Sequence, residues 1–353
     1  MSKKTKILLK LVLLIFFTFL SLFLVFRKDY KDVLAILKTA SFPFIFIAIG
    51  CMFLVFFIDG CILTILVNLF QKGYRLHQGI LNQQYNVFFN GITPLATGGQ
   101  PFQVYLFKKQ GVNIANGIAV VFIYFVLYKA TLLSLSLFAF IYNYPRLNAL
   151  IDQAEYNLLF LLIISFCLIA LLSILIILVA YLPLFKNLFH KIILFLGKIR
   201  IIKKVEVAQQ NLNDKIILIR HHASHIFSNW KTMILLLGLM FLRFIILYSI
   251  PFISFYAVDC PLNGKYFLDT ISLSSYTSLI SGVFPSPGGS VGVEFAYTYL
   301  FKSFFSNKIN VHDVNATIKG SMLIWRAITF YFGMILGAFV LLIYKPRKKK
   351  ENS

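Results

Sequence analysis

The sequence predicts an all-α polytopic membrane protein with six full spans and two hairpins, the hairpins being either re-entrant or paired broken helices. Three observations predict it. Of the 353 residues, 59% are hydrophobic and only 13% charged, about half the charged share of an ordinary soluble domain. The apolar residues gather into runs of about twenty or more, the length a helix needs to cross a bilayer. Two breaks of matching pattern interrupt the rest: Gly91-Ile92-Thr93-Pro94-Leu95-Ala96-Thr97-Gly98-Gly99 and Gly282-Val283-Phe284-Pro285-Ser286-Pro287-Gly288-Gly289.

A first span is expected over about 7–26. It follows Lys3, Lys4 and Lys6, but its apolar run is too long for a secretory signal and no small-residue cleavage site follows, so it reads as uncleaved. Further spans fall at about 42–70, 114–142, 157–182, 232–256 and 317–344. Basic residues crowd both ends, Lys3 to Lys10 and Lys345 to Lys350, and basic flanks stay in the cytoplasm. Six spans bring both termini to that side. The long loop 183–231, with nine Lys and Arg against two acidic residues, also falls inside. The slightly acidic loops 143–156 and 257–270 fall outside. The connection 27–41 fits less well, being placed outside with a net charge of +2.

The remaining segments, 79–110 and 267–305, each contain one break, and parity makes each enter and leave on one side. The first opens from the cytoplasm and the second from outside. Span, hairpin and span therefore recur in opposite orientation, with half-repeats at 42–142 and 232–344 and GG pairs 190 positions apart. That is the inverted-repeat plan of many transporters. The whole chain, 1–353, reads as one transmembrane domain. Within its cytoplasmic loop, 199–230 forms an amphipathic segment. There Ile202, Val205, Ala208, Leu212, Ile216 and Ile219 recur at helical steps beside Lys203, Lys204, Lys215 and Arg220. Such a helix either lies on the inner leaflet or caps the bundle.

A formal net charge of +22 could serve nucleic acid, but no basic soluble domain is present to bind it. Positive-inside topology and contact with anionic lipid heads account for it instead. Cys51, Cys61, Cys167 and Cys260 lie in or beside apolar runs without a C-x-x-C pattern, so they imply buried free thiols and neither a disulfide framework nor a metal site.

Each break can be a tight turn that merely allows close packing. It can also start a half-helix inside the membrane, where unpaired N–H groups at Gly98, Gly99 and Gln100, or at Gly288 and Gly289, would suit an anion. Gly91, Pro94, Gly282, Pro285 and Pro287 are the breaking residues, and a matched pair favours the second reading. Ionisable residues at membrane depth are costly and mark function: Asp59, Lys129, Arg243 and Arg326 fall within spans, and Glu294 follows the second break. If all are charged the interior is net positive, which suits an anionic ligand. Arg326 is the first choice to hold it, since a guanidinium engages phosphate with two prongs. The alternative is mutual pairing that only locks helices, such as Asp59 with Lys129 and Glu294 with Arg243. Gln83, Gln84, Asn86, Asn90, Gln100 and Gln103 put a polar face on the first hairpin, which needs a wet cavity or internal partners. The abundant aromatics read mainly as belt and packing residues. His221, His222 and His225 lie on the basic cytoplasmic segment and lack the Glu of a zinc protease motif. Neither a phosphate loop nor a nucleophile elbow occurs, so catalytic residues, metal and cofactors are all expected to be absent.

Pro94…Gly98-Gly99-Gln100-Pro101, then Pro285-Ser286-Pro287-Gly288-Gly289-Ser290-Val291-Gly292-Val293-Glu294, and Trp325-Arg326 in the last span resemble the lysylphosphatidylglycerol synthase/flippase transmembrane family. That family includes the membrane domain of the bacterial multiple peptide resistance factor. The resemblance covers nearly the whole chain. Where many members carry a basic residue soon after the first GG, Gln100 and Gln103 stand here. The resemblance implies a bacterial cell-membrane protein that translocates a phospholipid, or an aminoacylated anionic or zwitterionic lipid, between leaflets. On a transporter reading of the residues themselves, the two GG half-helix N-termini and Arg326 would bind the head group, with gating or proton coupling at Asp59, Lys129, Arg243 and Glu294. The aminoacyltransferase domain of two-domain members is expected to be absent. The competing readings are a membrane subunit of a lipid-modifying transferase with its catalytic domain in trans, and a small-anion transporter. A phospholipid substrate, a separate transferase and a second copy of the chain are the partners these readings admit; nucleic acid is not among them.

Overall fold

The computed structural model describes residues 37–93, 98–151, 158–181, 229–282, 290–309 and 313–344 besides a few isolated positions, and among these it contains helices and no strand. The expected first span at 7–26, most of the amphipathic segment 199–230 including its histidines, and both basic termini lie outside the described residues, as do Pro94, Pro285, Pro287, Gly288 and Gly289.

The first half runs α1 (Phe42–Phe70), α2 (Leu76–Gly91), α3 (Gly99–Lys109) and α4 (Ile114–Ile151). A helix α5 (Leu158–Tyr181) follows. The second half runs α6 (Trp230–Ala257), α7 (Phe267–Ser281), α8 (Ser290–Phe305) and α9 (Val314–Ile343). Four helices, α1, α6, α9 and the Ile114–Tyr144 stretch of α4, are long and apolar enough to cross a membrane. They match four of the expected spans to within a few residues. The fifth, 157–182, is the apolar helix α5. The hairpin arms α2, α3, α7 and α8 have 16, 11, 15 and 16 residues. At about 1.5 Å per residue they reach roughly 17–24 Å, short of a hydrocarbon core of about 30 Å.

Local chemistry sets the boundaries. Pro43 sits in the first turn of α1, where its missing N–H has no intrahelical acceptor anyway. Asn229 and Asp313 cap α6 and α9 by accepting from the N–H groups of Thr232 and Ala316. Gly73 and Gly111 take positive φ in the turns before α2 and α4, a conformation that costs glycine little. The Gln71 side chain ties these two turns together, donating to Gly111 O at 2.8 Å and accepting from Asn113 N at 3.2 Å. The first hairpin thus enters and leaves at one end of the bundle. Tyr266, just before α7, packs on Phe304 and Phe305 at the end of α8, so the second hairpin does the same. The Ser41 N–H donates to Ala257 O at 2.8 Å, which joins the start of α1 to the end of α6. The two helices therefore run antiparallel, and the hairpins open at opposite ends.

α1 packs most extensively on α6, while each hairpin reaches across to the other half: α2 rests on α9 and α7 rests on α4. Small residues permit this proximity, as is usual between helices in lipid. At Gly79 a Cβ would stand 2.5 Å from Gly60 O and from Thr64 Oγ1; at Gly337 it would stand 2.7 Å from Gln84 O. The buried side chains of both halves form one core running through Leu63, Phe244, Phe255 and Phe301. Large apolar side chains elsewhere are exposed on the outer faces, among them Phe46, Phe53, Ile163 and Phe339, as a lipid-facing perimeter requires. Cys167 is exposed on this perimeter, whereas Cys260 is buried; all four thiols are free.

Candidate functional site

The flanks of both breaks border one cavity of about 450 Å³. The first hairpin contributes Gln83, Asn86, Asn90 and Gly91 from α2 and Gln100 and Gln103 from α3. The second contributes Ser278, Ser281 and Gly282 from the end of α7 and Val293 from α8. The lateral walls are Tyr124, Tyr128, Lys129 and Leu132 of α4, Arg243 of α6 and Phe330 of α9. Five of the six amide residues read as a polar face in the first hairpin border this space. Gln84 does not: it is buried, and its backbone carbonyl lies against Gly337.

At the inner end of the cavity four helices converge on Asp59, which is 1% exposed. Its Oδ1 accepts from Tyr124 Oη of α4 at 2.5 Å and from Arg243 Nε of α6 at 3.0 Å. Its Oδ2 accepts from Gln83 Nε2 of α2 at 3.1 Å. Three donors on one carboxylate make this a saturated anion, the condition under which a charge is tolerated away from water. Arg243 also stands over the rings of Tyr128 and Phe244, its guanidinium carbon 5.3 and 4.9 Å from their centroids. Its Nη1 is buried without a hydrogen-bond partner among the described residues. Arg243, Gln83 and Ser278 also border a second space of about 200 Å³, with Asp59, Tyr248, Trp325 and Thr329. The Asp59–Arg243–Gln83 cluster therefore stands between two spaces.

The pairing read from the sequence is corrected on two counts. Asp59 pairs with Arg243 and not with Lys129, because antiparallel α1 and α6 bring the two mid-span residues level. Lys129 stands five residues past Tyr124 on α4, about 140° around the helix from it. Glu294 pairs with Arg326, at 3.7 Å, and not with Arg243. Lys129 has no carboxylate partner among the described residues; its ammonium lies near the rings of Phe125 and Tyr128, 5.7 and 5.8 Å from their centroids. Its amine stands on the wall of the cavity.

Arg326, the first choice for a ligand contact, is not on that wall. It is buried between Glu294 of α8 and the ring of Phe330, 4.3 Å from its guanidinium carbon. Beside it, Tyr297 stacks on Trp325 at 4.9 Å, and its hydroxyl meets Ser321 Oγ at 3.2 Å. Immediately after Arg326, α9 widens into a π-helical segment, Ala327–Phe332, a feature often found beside functional positions. It carries Phe330 to the cavity and Thr329 to the second space.

The first break is held from within. Gly98 N donates to Thr93 Oγ1 at 2.9 Å and Gly99 N to Asn90 Oδ1 at 2.7 Å. These two N–H groups therefore cap α3 onto α2 in this arrangement, and Gln100, the next residue, borders the cavity. A Cβ on Gly99 would stand 2.5 Å from Asn90 Oδ1 and 2.7 Å from Asn86 O, so the arms meet only with glycine there. An amide chain continues inward, with Asn90 Nδ2 donating to Asn86 Oδ1 and both Asn86 Nδ2 and Gln103 Nε2 donating to Gln83 Oε1. It connects the break to Asp59.

The sequence reading passed over two contributors. Tyr124, the shortest partner of Asp59, was one of many aromatics, and nothing in its neighbours marks it. The end of α7 was more legible: seven of the ten residues 272–281 carry hydroxyls. Several donate to carbonyls three or four residues back, Ser274 to Thr270, Thr277 to Leu273 and Ser281 to Ser278 among them, which lets a polar helix sit in an apolar bundle.

No curated protein matches this chain. The family model described as "Lysylphosphatidylglycerol synthase TM region" matches residues 7–337. Taken with four apolar helices of spanning length, the match makes this a multi-pass membrane protein belonging to the lysylphosphatidylglycerol synthase transmembrane-region family.

Proposed function

We propose that this protein moves a phospholipid with an anionic or zwitterionic head group between the leaflets of a bacterial plasma membrane, with both termini in the cytoplasm. The observation that carries the reading is one cavity shared by the flanks of both breaks, with Lys129 on its wall and no carboxylate paired to it among the described residues. A half-buried lysine without a carboxylate partner among the described residues favours an anion there. Lys129, Arg243 and Gln100 are proposed to hold the head group, and the break at Gly98 and Gly99 to shape the cavity beside them. The Asp59–Arg243 pair is proposed as the gate between the two spaces. Glu294 and Arg326 then lock α8 to α9 beside the π-helical segment.

The matching order of helix lengths, the crossed packing of α2 on α9 and α7 on α4, and hairpins open at opposite ends support an inverted repeat spanning 42–142 and 232–344. That plan provides one mouth on each side of the membrane, as alternating access needs. The test is reconstitution into liposomes with fluorescent phosphatidylglycerol. The labelled head groups should exchange leaflets several times faster than in empty liposomes; equal rates would refute the proposal. The family's printed name also supports a second reading, a membrane region serving a lipid-modifying transferase on another polypeptide. In that case the liposomes show no exchange until the transferase is added and lipid is modified.

A further inference from the structure

We propose that an apolar groove along α4, α5 and α7 seats an acyl chain of the same lipid whose head group occupies the polar cavity. The inference rests on the lipid reading above. The groove, about 170 Å³, is lined by Ser136, Leu137 and Phe140 of α4, by α5 around Ile163, and by Tyr276 and Leu279 of α7. Leu137 and Ile163 are about half exposed, at 49% and 45%, so the groove opens on the perimeter where lipid tails lie.

Its position relative to the cavity identifies the occupant. Leu132 borders the cavity, and Ser136, one turn further along α4, begins the groove. On α7 the two linings adjoin and overlap: Ser278, Ser281 and Gly282 border the cavity, while Tyr276 and Leu279 border the groove. Polar cavity and apolar groove therefore adjoin along one α4–α7 seam, successive on α4 and overlapping on α7. From Leu132 to Phe140 the seam runs roughly 12 Å at the helical rise. Ser278 and Leu279, adjacent on α7, border the cavity and the groove respectively, so the two spaces meet there. An amphipathic ligand with a charged head and an apolar tail fits this sequence of surfaces; a free small anion leaves the groove empty.

A second observation points to the linkage between head and tail. Ser136 is 1% exposed, and its hydroxyl has no hydrogen-bond partner among the described residues, whereas Ser272, Ser274 and Ser281 of α7 each donate to a backbone carbonyl. A buried hydroxyl is seldom left unpaired. At the point where cavity becomes groove, the ester carbonyl of a glycerophospholipid is the acceptor such a hydroxyl lacks.

The experiment reconstitutes the full chain into liposomes containing traces of two phosphatidylglycerol probes, one with a photoactivatable diazirine in mid-chain and one with it on the head group. Cross-linked peptides are then mapped. The chain probe should label 136–140, 160–166 and 276–279, and the head-group probe the cavity walls. Ile163→Trp, a substitution on the lipid-facing rim, should cut chain labelling about tenfold while head-group labelling persists. Lys129→Gln should cut both about tenfold, as the loss of about 1.4 kcal/mol of head-group binding predicts. Groove labelling that is unchanged in Lys129→Gln means that bulk bilayer lipid fills it, and overturns the inference. Labelling of the cavity walls without the groove also overturns it, leaving the head-group reading intact. If neither is labelled, that reading falls with it.

Discussion

Replacing Asp59 with asparagine separates a saturated ion-pair centre from a mere cluster of polar residues. In the native protein the carboxylate accepts three hydrogen bonds, at 2.5, 3.0 and 3.1 Å, from three other helices. An asparagine has one acceptor oxygen and a donor group, and all three partners are donors, so one of them must face an N–H. The larger effect is electrostatic: Arg243, whose side chain is 11% exposed, loses its counter-ion. Removing one member of a buried pair costs about 3–5 kcal/mol. The lost neutral hydrogen bond adds less, about 0.6 kcal/mol between helices in a membrane. Asp59→Asn is thus expected to lower stability by about 3–5 kcal/mol, measured by reversible unfolding in mixed lipid–detergent micelles. Removing both charges in Asp59→Asn/Arg243→Gln should recover more than about 1 kcal/mol of that loss, since residues of one network are not additive. A single variant within about 0.5 kcal/mol of wild type, or a double variant equal to the sum of the singles, would refute the account of this centre.

Other substitutions probe the remaining claims. Arg326→Ala should destabilise by about 3–5 kcal/mol, because Glu294 is left buried beside it; Arg326→Lys should lose less, and thermal unfolding distinguishes them. Gly99→Ala should cost about 1–3 kcal/mol through forced separation of the α2 and α3 arms, read in the same unfolding assay. Gly79→Leu should push α1 from α2 and lower the yield of folded protein in detergent, whereas Gly238→Leu, at a glycine with nothing within 4 Å of an added Cβ, should not. Lys129→Gln should leave the unfolding free energy within about 0.5 kcal/mol of wild type while slowing exchange of anionic lipid about tenfold.

The fold was legible where hydropathy and charge act over many residues. Four spanning helices and both hairpins fall where the apolar runs and Gly/Pro breaks place them, because the bilayer length and the helix-breaking tendency of these residues are local constraints. Partner choice was less legible. Asp59, Lys129, Arg243, Glu294 and Arg326 stood out as ionisable residues in apolar surroundings, yet which cation meets which anion depends on the antiparallel packing of α1 on α6. For Arg326 the charge was visible, but its enclosure by Glu294 and Phe330, which depends on the packing of α8 beside α9, was not. The amide face of α2 was legible as a pattern, and its direction into the cavity follows from the hairpin turning back at Gly98. Tyr124 was illegible, since a tyrosine that satisfies a buried carboxylate reads like any belt tyrosine until α4 is placed beside α1.

The central claim is that the cavity between the hairpins is the path of the lipid head group, and blocking it chemically tests this most directly. Cys51, Cys61, Cys167 and Cys260 are replaced by serine or alanine, and Ser281, on the cavity wall at the end of α7, is changed to cysteine. Reaction with a bulky charged thiol reagent in liposomes should stop leaflet exchange of fluorescent phosphatidylglycerol, and a reducing agent that removes the adduct should restore it. Complete modification of Ser281→Cys with an unchanged exchange rate would contradict the account.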